Sequence, residues 1–194
     1  KSILRGSYSQ LNHPASPPLV QYLPGTSILM APLVGIFPNS FLPCQLLSIA
    51  LVLGSLFLFC FCFSQELTPK ALIPSLFFLA FNPLTVSLSG TILSEIPYLF
   101  LTMIVFYLAK SRWSSSKLSD WSILAGLTAM TFYFRPIGLT FVFALPASLA
   151  IEKRYKTAGY CLFLSLVLCS IFPTINQLQA GISLTYFGEF IDAF

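Results

Sequence analysis

Residues 124–139 read LAGLTAMTFYFRPIGL, and the pair Arg135-Pro136 inside this stretch decides how the chain is threaded. The sequence is apolar on both sides of the pair, over residues 121–134 and again over 137–151. Together these make a run of about 31 residues, long for one bilayer-spanning helix and short for two, since one span takes about 20. Charge arbitrates. If the chain turns back at Arg135-Pro136, the loops 65–70, 110–119 and 152–156 fall on one side. They hold Lys70, Lys110, Arg112, Lys117, Lys153, Arg154 and Lys156, against Lys1, Arg5 and Arg135 opposite. One continuous helix would split the two strongest basic loops across the membrane. The positive-inside rule therefore predicts two short helices and places the three basic loops in the cytoplasm.

Working outward, residues 41–63 form the clearest span. A second runs over 71–88, interrupted by Pro74 and Pro83, and a third over about 96–109. The last covers 157–175, which makes six. The fold class expected is all-α, a polytopic transmembrane helical bundle treated as a single domain. Residues 1–40 form an outer loop with a short interfacial helix, 41–175 the bundle, and 176–194 an outer tail. The short apolar segment TSILMAPLVGIF (residues 26–37) is too short to span and suits a helix lying at the interface. Composition agrees with a membrane protein: 56% of the 194 residues are hydrophobic and only 8% are charged, where soluble domains carry about 25%. So little polar surface could not cover a soluble globule of this size.

Several classes are disfavoured. The net charge of +4 sits where orientation in a membrane requires it, and no basic-aromatic interleaving points to nucleic acid. No nucleotide-cradling glycine loop, nucleophile elbow or zincin pattern occurs. Cys44, Cys60, Cys62, Cys161 and Cys169 lie in or beside apolar runs and form no C-x-x-C pair, so they read as small buried hydrophobes rather than disulfides or zinc ligands. Residues 6–24 are polar and proline-rich, unlike a signal peptide. The chain starts at Lys1, so it is read as a processed product or a fragment.

Ionisable groups at membrane depth are costly and mark candidate sites. Glu95 opens the third span within GTILSEIPYLFL (residues 90–101). A plain structural role also accounts for it, with Ser94 capping the helix, Glu95 in its first turn and Pro97 tolerated there. Arg135 could snorkel to the interface, but a cation in a turn before Pro136 and Gly138 also suits an anionic phosphate. His13 in LNHPASPP and Tyr22 are further candidates for substrate contact. Pro24 and Gly25 read as aiming the short apolar segment.

Three stretches resemble, in order, segments of one family. YLPGTSILMAPLV (residues 22–34), FNPLTVSLSGTILSEIPYLFL (residues 81–101) and LAGLTAMTFYFRPIGL (residues 124–139) are similar to motifs of bacterial membrane glycosyltransferases of the GT-C superfamily. These are the family 39-like, RgtA/B/C/D-like enzymes related to the protein O-mannosyltransferases. The likeness covers roughly residues 2–151, with Leu23 standing where the family often has proline. It implies a glycosyltransferase that moves a sugar from a polyprenyl-phosphate donor to a lipid, polysaccharide or protein acceptor on the outer face of a bacterial plasma membrane. Glu95 would then be a supporting catalytic residue and Arg135 would hold the donor phosphate. The main acidic base would lie ahead of Lys1, because the family's acidic motif precedes the match to residues 2–9. No cofactor is assigned, although the family leaves room for a divalent cation. The expected partners are the lipid bilayer and the lipid-linked donor. Asn82-Pro83 and Ser94-Glu95 also resemble eukaryotic GPI-anchor mannosyltransferases. A multi-span transporter or flippase and a noncatalytic membrane subunit are the alternatives outside the enzyme class.

Overall fold

The computed structural model describes residues 23–82, 93–115 and 117–180. Within them the chain is helical and no strand occurs. The helices are α1 (Gly25–Ile36), α2 (Leu42–Phe63), α3 (Pro69–Phe81), α4 (Glu95–Arg112), α5 (Leu118–Phe134), α6 (Leu139–Ile151) and α7 (Tyr155–Ala180), with a 3-10 turn at Pro136–Gly138 between α5 and α6.

Local chemistry sets several of these ends. Pro43 and Pro69 stand in the first turns of α2 and α3, where a missing N–H costs nothing. Asn82 ends α3 in an extended conformation (φ −57°, ψ 125°), as expected of a residue before proline. α4 carries Glu95 in its first turn and Lys110 and Arg112 in its last, so all three charges complement the helix dipole. Arg135 leaves α5 in extended geometry (φ −148°, ψ 140°) before Pro136.

The chain does turn back at Arg135. Leu145 and Leu149 of α6 pack in one cluster with Trp121, Leu124 and Ala125, while Val142 packs with Ala129. That pairing order is antiparallel. α7 then runs parallel to α5. The Ser165 hydroxyl donates to the Ala125 carbonyl at 3.1 Å and lies 3.2 Å from the Thr128 hydroxyl, while Cys161 and Cys169 reach the carbonyls of Trp121 and Ala129. Residues 161, 165 and 169 thus follow 121, 125 and 129 turn by turn. α2 and α4 also run parallel, with Phe100 against Gly54 and Lys110 against Cys62.

Small polar side chains and cysteines are buried between the helices, beside an apolar core that includes Val105, Trp121, Leu124, Val142 and Leu149. Ser48, Ser55, Thr102, Thr128, Thr131 and Ser165 are buried, along with Cys44, Cys62, Cys161 and Cys169. Leu46, Ile49, Leu53, Phe57 and Phe61 form one exposed stripe along α2 at three- to four-residue spacing. Small residues between helices and large apolar ones outside is the arrangement that packing in lipid favours. Two helices are long and apolar enough to cross a membrane, α2 with 22 residues and the Tyr155–Ile175 part of α7 with 21. Only 28% and 24% of those stretches are buried, far less than in the core helix of a soluble domain.

Six spans at this standard are not present among the described residues. α4 has 18 residues but includes three charges, α5 has 17, and the apolar stretch Pro136–Ile151 is shorter still. α3 stops at Phe81, short of the expected span over 71–88, where Asn82 leaves the helical region (ψ 125°) ahead of Pro83. The rest of that expected span, from Pro83 on, lies outside the described residues.

Candidate functional site

Glu95 and Arg135, separated by 40 positions in the sequence, meet at one end of the bundle. Arg135 Nη1 lies 2.9 Å from Glu95 Oε1. The Arg135 backbone is fixed independently, its N–H donating to Thr131 O at 3.1 Å and its carbonyl accepting from Gly138 N–H at 2.9 Å. Gly138 has to be glycine, because an added Cβ would sit 2.4 Å from the Thr131 carbonyl carbon and 2.5 Å from the Phe132 nitrogen. The Thr131 hydroxyl ties the same corner by donating to Thr128 O at 2.6 Å and reaching Gly138 O at 3.2 Å.

The expected cap at Ser94 is not formed. Ser94 has helical backbone angles (φ −72°, ψ −18°) and its hydroxyl makes no capping bond, since capping geometry needs an extended residue. Glu95 instead binds Arg135 through one oxygen. Its other oxygen, Oε2, is buried with no hydrogen-bond partner among the described residues. The side chains of Glu95 and Arg135 are 31% and 40% exposed, so the pair is half-sunk and open on one side. A guanidinium has five N–H donors, and the Glu95 pair is the side-chain ion pair Arg135 makes among the described residues.

α1 enters this end directly. A Cβ on Gly25 would meet the Tyr133 carbonyl oxygen at 2.5 Å, so the start of α1 is pressed onto the last turn of α5. Thr26 Oγ1, one residue on from Gly25, is buried without a partner, as is Thr102 Oγ1. Thr102 follows Glu95 at a spacing of two helical turns, a periodicity that could have singled it out from the sequence. Nothing in the sequence singled out Thr26. His13 and Tyr22 lie outside the described residues, as do residues 181–194 of the expected tail.

The opposite end gathers all three basic loops. Lys110 Nζ lies 3.0 Å from Glu66 Oε1 and donates to Cys62 O at 2.5 Å. Arg154 donates to the carbonyls of Trp113 and Ser115 at 2.7 and 3.0 Å and stacks on the Trp121 ring at 4.6 Å. Trp113 Nε1 donates to Glu152 at 2.6 Å. Arg112 pairs with Asp120. The Ser115 hydroxyl donates to the other Asp120 carboxylate oxygen at 2.5 Å. These contacts are structural ties, and they put the basic loops at the end away from Glu95 and Arg135.

Of the clefts among the described residues, two lie away from Glu95 and Arg135. One of about 440 Å³ lies between α2 and α3 against Phe59, Pro74, Ser75, Phe78 and Leu79 and holds no ionisable group. The other, of about 230 Å³, lies between α2 and α4 at the basic end. The Glu95–Arg135 pair supplies one carboxylate, and no group of three His, Cys, Asp or Glu that could hold a metal occurs among the described residues. Comparison with protein-family models, curated proteins and solved structures found no match to this chain.

Proposed function

We propose that the chain is a multi-pass membrane protein of six spans, residing in a bacterial plasma membrane, with the Glu95–Arg135 end outside. There it transfers a sugar from a polyprenyl-phosphate donor to a lipid, polysaccharide or protein acceptor. The observation that carries this reading is the 2.9 Å pair itself. It joins two of the segments in which the sequence resembles GT-C glycosyltransferases, and it lies at the end opposite the basic loops. Length supports the extra spans. At 1.5 Å per residue, α4 and α5 reach about 27 and 26 Å, and Pro136–Ile151 about 24 Å. The hydrocarbon core is about 30 Å, a mismatch that local thinning or snorkelling flanks absorb at modest cost.

The division of labour follows from the geometry. Glu95 holds the guanidinium through Nη1 and thereby aims the remaining N–H groups. Those donors suit the phosphate oxygens of a lipid-linked donor, on which negative charge grows as the sugar–phosphate bond breaks. Charge placed in advance where it develops lowers the barrier without reorganisation. Glu95 acts as a positioning residue here, held to Arg135 through Oε1. The resemblance implies a separate carboxylate as the base that removes the acceptor proton.

The test is sugar transfer from a polyprenyl-phosphate sugar in membranes bearing the full-length protein. Arg135→Ala should lower the rate by about 10- to 100-fold, the worth of a lost charged hydrogen bond. Arg135→Lys should recover part of it, and Glu95→Gln should fall between. Undiminished transfer by both Arg135→Ala and Glu95→Gln would return the pair to a purely structural role.

A further inference from the structure

The cleft at the basic end has no part in the proposed reaction. It lies between the last turns of α2 and α4, with Phe63, Phe106 and Trp113 as aromatic walls and Lys110 and Glu66 at its polar edge. Lys110 uses two of its three donors, on Glu66 and on Cys62 O. The Glu66 side chain is 60% exposed, so its hold on Lys110 is that of a weak, solvent-screened surface pair. The surroundings are positive. Glu66, Asp120 and Glu152 are each engaged at this end, whereas Lys70, Lys117, Lys153 and Lys156 are exposed and in no ion pair among the described residues. A cation above aromatic walls at the level of the membrane interface matches a phospholipid headgroup with the start of its acyl chains.

We infer that this cleft binds an anionic phospholipid of the cytoplasmic leaflet. The phosphate sits on Lys110, and the glycerol and upper chain lie against Phe63, Phe106 and Trp113. Excess lysine in the loops of this end selects an anionic headgroup over a zwitterionic one, and Glu66 opposes binding by competing for Lys110. This inference rests on the multi-span reading but not on the transfer reaction.

Both tryptophans of the chain, Trp113 and Trp121, lie at this end, so their fluorescence reports on it. The full chain is reconstituted in phosphatidylcholine vesicles containing brominated phosphatidylglycerol or, in parallel, brominated phosphatidylcholine. The brominated anionic lipid should quench about fivefold more effectively, the preference that one lysine near an anionic leaflet contributes. Lys110→Gln should abolish that preference, and Glu66→Gln should increase it. A purely structural ion pair would move both variants in the same direction, which would overturn the inference, as would equal quenching by the two lipids in the unmodified chain. Inorganic phosphate added to phosphatidylcholine vesicles at matched ionic strength should leave the fluorescence unchanged; a comparable change there would assign the cleft to a free anion. Absence of quenching by either lipid would overturn the multi-span reading itself.

Discussion

A methyl group added at Gly138 would meet backbone atoms at 2.4–2.6 Å, and backbone cannot swing aside as a side chain can. The corner that presents Arg135 therefore depends on one missing Cβ. Gly138→Ala should destabilise the protein by about 1–3 kcal/mol through overpacking, and should displace Arg135 from Glu95. Gly126 and Gly159 make the control, since a Cβ at either meets nothing within 4 Å. Inside a helix, Ala in place of Gly is favoured by up to about 1 kcal/mol. Thermal unfolding in detergent should thus separate the substitutions by sign, with Gly138→Ala lowering the midpoint and Gly126→Ala holding or raising it. A fall of the same size at Gly126 would mean that close approach is not what glycine provides at Gly138. The sequence did mark both ends of the ion pair, because a charge in an apolar run is visible at once. It could not show that Glu95 takes Arg135 in place of a cap from Ser94. That outcome depends on where two distant helix ends land and on the helical backbone at Ser94.

At the scale of the helix, α5 and α7 are held by a ladder of small residues. Cys161, Ser165 and Cys169 lie along Trp121, Ala125 and Ala129, and Ser165 is 1% exposed. Small side chains let the backbones approach, and the Ser165 hydroxyl adds interhelical bonds to Ala125 O at 3.1 Å and with the Thr128 hydroxyl at 3.2 Å. Ser165→Ala removes both and should cost about 0.6 kcal/mol per bond, the average for such contacts in membranes. Ser165→Leu adds volume to a closed seam and should cost about 1–3 kcal/mol. Equal effects of the two substitutions on unfolding would show that the hydroxyl, not the close approach, joins the helices. The reading of the cysteines as small buried hydrophobes belongs to this scale, and the ladder gives its reason for Cys161 and Cys169. Their partners were not legible, since the 40-residue offset between α5 and α7 depends on how α6 doubles back. α3 shows the opposite limit. Its apolar run reads on through residue 88, yet the helix ends at Phe81, with Asn82 out of the helical region before Pro83; Pro74, inside the same helix, has no such effect on Ile73, so hydropathy and proline position together do not fix the end.

For the whole molecule, charge placement settled what hydropathy could not. The apolar run around Arg135 fits one helix or two equally well by length. The requirement that basic loops share a side chose two, and the structure joins those loops through Lys110–Cys62, Arg154–Trp113 and Trp113–Glu152. The number of spans was less legible, because short helices with charged ends pass or fail by a few residues. The central claim is that the Arg135 corner and the basic loops face opposite sides of a membrane. Ile137 is 59% exposed beside Arg135, and Ser114 is exposed between α4 and α5 at the basic end. Single cysteines placed there as Ile137→Cys and Ser114→Cys, with the native cysteines replaced, can be challenged in intact cells with a membrane-impermeant maleimide. The account predicts labelling of Ile137→Cys in intact cells and of Ser114→Cys only after permeabilisation. Labelling of both positions from the same side would contradict it.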